Sequence, residues 1–131
     1  MYADYQDCKY QTLVKEIVNV FYKVYNRLGH GFLEKVYKEA MLIELKKEGI
    51  PSLSQSGMRV FYEGRMIEEC NVNILVDNKI IVKVKAGESL GKENEAQLLD
   101  YLKANNIEVG LLVNFGTKPE VKHKVFNSLS E

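Results

Sequence analysis

The chain has 131 residues, enough for one domain around one core and too few for two. Apolar residues make up 46% and charged residues 27%, ordinary for a globular protein. Eighteen basic side chains balance eighteen acidic ones, which excludes nucleic-acid attraction by bulk charge and leaves only a local patch for it.

Cys8 and Cys70 stand far apart and in no CxxC or Cys/His spacing, so no structural zinc site is expected and the thiols read as those of a cytoplasmic protein. The first ten residues, MYADYQDCKY, are polar, so no signal peptide is expected. No stretch approaches the ~20 apolar residues of a membrane span. A membrane partner is therefore not expected.

In chain order, Leu13, Ile17, Phe21, Val24 and Leu28 recur at helical spacing and predict a helix from about Tyr5 to Leu28. Gly29 and Gly31 break it, with His30 between them as a turn residue. A second helix is expected from about Phe32 to Glu48, with Leu33, Val36, Ala40 and Ile43 as its buried stripe, Gly49 as its cap and Pro51 beyond. Residues 52 to 57 read as turn.

Three strand-like runs follow: Met58 to Tyr62, Met66 to Val76, and Lys79 to Ala86. The third alternates, with Ile80, Val82, Val84 and Ala86 on one face and Ile81, Lys83 and Lys85 on the other. A helix is expected from about Lys92 to Asn105. Ile107 to Asn114 is nearly all apolar, as a buried central or parallel strand would be. The tail, with Lys118, Lys122, His123 and Lys124, is expected to form a short helix. The order is helix, helix, three antiparallel strands, helix, strand, in a single domain spanning 1–131.

Several blocks carry a resemblance. Gly31-Phe-Leu-Glu34-Lys-Val-Tyr37 fits a GxxExxY pattern. The Tyr62-Glu-Gly64 turn, the strand ending Lys85-Ala86, the segment Ala96-Gln97-Leu-Leu-Asp-Tyr101-Leu102 and Gly110-Leu-Leu-Val-Asn114-Phe-Gly116 follow in the same order. Over about residues 10 to 125 the chain resembles the GxxExxY group, which is similar to PD-(D/E)XK nucleases. The resemblance implies an α/β (α+β) restriction-endonuclease-like core, a mixed β-sheet flanked by helices in the order ααβββαβ.

It also implies a metal-dependent nuclease site. Phosphodiester hydrolysis of that kind needs a divalent cation held by carboxylates and a lysine for the charge on the phosphate. The implied positions are Glu34 on the second helix, an acid at 73, an acid at 83 and Lys85, with Gln97 and Tyr101 in support. This sequence has Asn73 and Lys83 where the acids should be. The formal charge over the four positions moves from minus two to plus one. An ammonium ~4 Å from Mg²⁺ is repelled by roughly 8 kcal/mol at an effective dielectric of 20. The metal site is therefore expected to be lost, and no cofactor is expected. Two routes would preserve Mg²⁺ or Mn²⁺: Lys83 turned away or neutralised, or Glu88, Glu93 or Glu95 moving in.

Register decides whether these residues meet. A three-residue loop, Asp77 to Lys79, puts 73, 83 and 85 on one face; a two-residue turn does not. The first requires Asn78 or Lys79 in a left-handed conformation.

Without the resemblance, Lys83 and Lys85 read as the solvated basic face of a strand, Gln97 and Tyr101 as a helix-surface pair, Glu34 as a solvated acid beside Tyr37, and His123 as solvated. Tyr2, Tyr5, Tyr10, Tyr22 and Tyr25 read as packing or interface residues, and exposed tyrosines on the first helix would point to a homodimer. The expected function is a degenerate nuclease-fold protein that holds DNA, RNA or a protein without cutting, with Lys83 and Lys85 as a phosphate pocket. The alternatives are an active Mg²⁺- or Mn²⁺-dependent nuclease with a rearranged site and a structural, oligomerising domain.

Overall fold

A computed structural model describes residues 10–55, 59–68 and 73–126. Cys8, Cys70, Tyr2 and Tyr5 lie outside them. Helix α1 is Gln11–Leu28 and α2 is Glu34–Lys47. Strands β1 (Ser52–Gln55), β2 (Arg59–Tyr62), β3 (Arg65–Glu68), β4 (Asn73–Val76) and β5 (Ile80–Lys85) follow, then α3 (Lys92–Asn105), β6 (Val109–Phe115) and β7 (Pro119–Val125). Among the described residues, five strands form one sheet in the order β1-β4-β5-β6-β7, while β2 and β3 pair only with each other. Only β5 and β6 run parallel, joined through α3; the other neighbours are antiparallel.

The sheet is the middle layer. On one face Ile74, Val76, Ile80, Val82, Val84, Leu111 and Val113 pack against Ile17, Phe21 and Val24 of α1 and Tyr37, Met41 and Leu45 of α2. On the other, Ile81 and Leu112 pack against Leu98, Tyr101 and Leu102 of α3. Strand β5 is therefore covered on both sides, as a strand with a parallel neighbour requires. The mixed sheet flanked by helices is the expected architecture.

Several local expectations fail. The stripe named for α2 is not the buried one. Leu33 is 79% exposed and Ile43 60%, whereas Tyr37, Met41 and Leu45 have no exposed surface. Both sets satisfy helical spacing, and the sheet selects the set one residue further along. Glu44 is buried with that set and is held by Lys23 at 2.9 Å, Lys47 at 3.6 Å and Arg27 at 3.7 Å, which ties α1 to α2. Residues 52–55, read as turn, form edge strand β1. The described residues of the run 66–76 belong to two strands in different sheets, β3 and β4. The basic tail is strand β7 rather than a helix, because β6 offers it a seven-residue antiparallel partner.

Helix α2 ends as anticipated. Gly49 adopts φ 76°, and the bonds Ile50 N to Leu45 O and Gly49 N to Lys46 O satisfy the last carbonyls. The β4–β5 turn also takes the required register. Asn73 pairs with Lys83 and Val76 with Ile80, leaving the three-residue loop 77–79. The left-handed residues are Asp77 (φ 52°) and Asn78 (φ 56°), not Lys79.

Candidate functional site

The site lies where β5 ends and α2 begins. Glycine is needed just before α2: Gly31 takes φ 114°, a conformation that a side chain rarely adopts. Three residues on, at the first helical position, Glu34 reaches the end of β5. Its Oε2 is 3.4 Å from Lys85 Nζ and accepts a hydrogen bond from Ala86 N at 3.3 Å. One turn further, the Tyr37 hydroxyl donates to Gly29 O at 2.6 Å and accepts from Phe32 N at 3.2 Å. Its ring stacks on Phe115 at 4.0 Å and 9°. The three residues of the GxxExxY pattern thus fix one corner: the glycine turns the chain, the acid joins helix to strand, and the tyrosine pins the loop.

Asn73 and Lys83 are direct cross-strand partners. They share the α3 face of the sheet, as Lys85 does by alternation. Lys83 is 3% exposed and Asn73 2%. The solvated basic face read from alternation is therefore wrong for Lys83. Lys85 does reach solvent, with 32% of its side chain exposed.

Helix α3 brings Tyr101 to this face, 6% exposed. Burial pushes its phenol above the ordinary range, and a hydrogen bond with the Asn73 side chain acts the other way. Tyr101 is thus part of the interior rather than of a helix surface pair, while Gln97 is half-buried. Asn73 Oδ1 is buried and accepts no hydrogen bond from the described residues.

Asn114, quoted in the sequence only as part of a block, proves central. It lies beside Lys85 in the parallel register. Its Oδ1 accepts from Gly87 N at 3.0 Å; its Nδ2 donates to Gly87 O and Glu120 Oε1, each at 3.0 Å. A lone buried Asn in an apolar strand was the available signal, since a buried amide must find partners. Gly87 of this clamp and the loop residues His30, Gly31 and Phe32 line a cleft of about 320 Å³, bordered also by Glu88 and Thr117. His30 is an exposed turn residue there, and His123 is exposed on β7.

Of the acids that could have moved in, Glu95 is engaged elsewhere: its two oxygens meet Lys122 at 2.6 Å and Lys124 at 2.5 Å. Those lysines hold its carboxyl down at about 2. Glu88 is exposed at the cleft, and Glu93 is exposed on α3.

A model of the PD-(D/E)XK nuclease superfamily matches residues 11–126. The chain belongs to this superfamily. No curated protein matches the chain, and no solved structure does.

Members of the PD-(D/E)XK superfamily typically depend on Mg²⁺ or Mn²⁺. The residues here do not fit such an ion. Among the described residues no three of His, Cys, Asp and Glu stand close enough to hold a metal. Asn73 offers a neutral oxygen, its cross-strand neighbour is a lysine that brings no carboxylate, and the Glu34 carboxylate is already turned to Lys85. A hard divalent cation needs several oxygen donors, chiefly carboxylates.

Proposed function

We propose that this chain is a PD-(D/E)XK protein of the GxxExxY type that has lost metal-dependent cleavage and acts by binding. The observation that carries the reading is the register of Asn73 against Lys83. It sets a neutral amide beside a buried lysine on adjacent strands, at the positions where the resemblance implies two acids.

The same charges suit an anion better than a cation. Glu34, Lys83 and Lys85 sum to plus one beside the neutral Asn73. In this reading a nucleic-acid phosphate meets Lys85, the exposed cation, while Lys83 supplies charge from within. Tyr101 and Gln97 support the wall that α3 presents, with Tyr101 bonded to Asn73.

DNA and RNA substrates incubated with Mg²⁺ or Mn²⁺ test the loss of cleavage. The reading expects none to be cut. Chelator-sensitive cutting that disappears in Glu34→Ala would establish the rearranged nuclease instead. Fluorescence anisotropy with a short DNA or RNA tests the binding half. Affinity should fall steeply with salt and weaken in Lys85→Ala. No binding at low salt contradicts it.

A further inference from the structure

Two apolar surfaces of the described chain have no cover within it. One is the outer stripe of α2 and the loop before it: Leu33 is 79% exposed, Ile43 60%, Phe32 48% and Val36 40%. Residues 33, 36 and 43 fall on one helix face. The other is the β2–β3 hairpin, where Phe61 is 70% exposed, Tyr62 65%, Ile67 53% and Met66 52%.

Phe61 and Met66 are cross-strand partners. Tyr62 and Ile67 lie on the opposite face by alternation. The ribbon is thus apolar on both sides. Its strands have four residues each and, among the described residues, pair only with each other. A lone two-stranded ribbon of this kind is marginal in water and needs something to pack on.

Charge says what kind of partner fits. Residues 59–68 carry Arg59, Arg65, Glu63 and Glu68, a net charge of zero. Phosphate recognition needs an excess of cations, so the hairpin suits a protein surface. The size of the two surfaces narrows the choice. At about 200 Å² for a large side chain, each surface offers only about 400 Å². A two-fold contact through one of them buries about 800 Å² in total, the size of a crystal contact. Reciprocal exchange, hairpin onto stripe and stripe under hairpin, buries the stripe and one hairpin face of each copy, about 1,200 Å² in total, the lower end of a stable interface.

We infer that the chain forms a two-fold dimer in which the β2–β3 hairpin of each copy packs across the α2 stripe of the other. The arrangement covers the stripe and one face of the hairpin on both copies and closes, so it does not grow into fibres. Lys85 and Asn73 belong to neither surface, although Phe32 of the stripe also borders the cleft beside β5.

Sedimentation velocity on the full chain tests it. The unchanged protein should sediment with twice the 15.0 kDa mass of one chain. Phe61→Glu and Ile43→Glu should each raise the dimer Kd about thirtyfold or more, as loss of a central apolar anchor does. Far-UV circular dichroism should be unchanged in both, and Phe61→Ala offers a milder variant if Phe61→Glu misfolds. A parent that stays monomeric at every concentration overturns the inference. So does a dimer sensitive to only one of the two surfaces, which would assign the contact to that surface alone.

Discussion

Glu34 Oε2 lies 3.4 Å from Lys85 Nζ and accepts a hydrogen bond from Ala86 N at 3.3 Å, so one carboxylate binds the start of α2 to the end of β5. In this chain the acid has a structural task that needs no metal. Both partners of the pair are about a third exposed, so the pair itself contributes at most about 1 kcal/mol. Glu34→Ala loses the backbone bond as well and should cost about 1–2 kcal/mol in urea unfolding. Glu34→Gln keeps an acceptor and should cost less. Equal losses in both variants would mean that charge alone is what counts at this position.

Tyr37 separates ring from hydroxyl. Tyr37→Phe keeps the stack on Phe115 but leaves Gly29 O and Phe32 N without their partner. The expected cost is about 1–3 kcal/mol. Tyr37→Ala also opens a cavity in the core and should cost about 3–5 kcal/mol. Chemical denaturation of the two variants measures both steps: an unchanged stability in Tyr37→Phe would deny the hydroxyl a role, and equal losses in both variants would deny the ring one.

Acid should reveal Glu95. Hydrogen bonds from Lys122 and Lys124 hold its carboxyl at about 2, below the ordinary 4.5. A carboxyl lowered in the folded state contributes stability that is present above the unfolded value and lost as pH falls through the folded one. Between about pH 4.5 and 2 the unchanged protein should therefore lose stability more steeply than Glu95→Gln. Parallel curves over that window would contradict the clamp.

Gly116 permits close backbone approach. A Cβ there would lie 2.4 Å from Gly87 O and 3.0 Å from Asn114 Nδ2. A backbone oxygen cannot swing aside as a long side chain can. Gly116→Ala should cost about 1–3 kcal/mol by overpacking and disturb the Asn114–Gly87 bonds. Thermal unfolding gives the cost, and amide chemical shifts of Gly87 report the bonds.

Periodicity was a good guide where one face alone could be buried. It placed Ile17, Phe21 and Val24 inward on α1. The pairing of Asn73 with Lys83 was one of two registers that the turn left open, and it is the one the resemblance required. Periodicity failed where two faces competed. On α2 the sets Leu33-Val36-Ala40-Ile43 and Tyr37-Met41-Leu45 both fit a helix, and only the sheet and α1 decide between them. Polar edge strands were not legible for a different reason. Ser52–Gln55 and Pro119–Val125 have little apolar pattern because an edge strand buries little; their pairing comes from β4 and β6. The burial of Lys83 was hidden likewise, since alternation gives a face but not what covers it. Asn114 was visible as an oddity, yet its partners Gly87 and Glu120 come from separate loop and strand segments.

The most direct measurement is calorimetric titration of Mn²⁺ into the unchanged protein, Asn73→Asp, and the double variant Asn73→Asp with Lys83→Glu. The account expects no heat from the first. It expects none from the second either, where the new acid pairs with Lys83. The third should bind and gain thermal stability with the ion, because a ligand held only by the folded state stabilises it. Saturable Mn²⁺ binding by the unchanged chain that vanishes in Glu34→Ala would contradict the account.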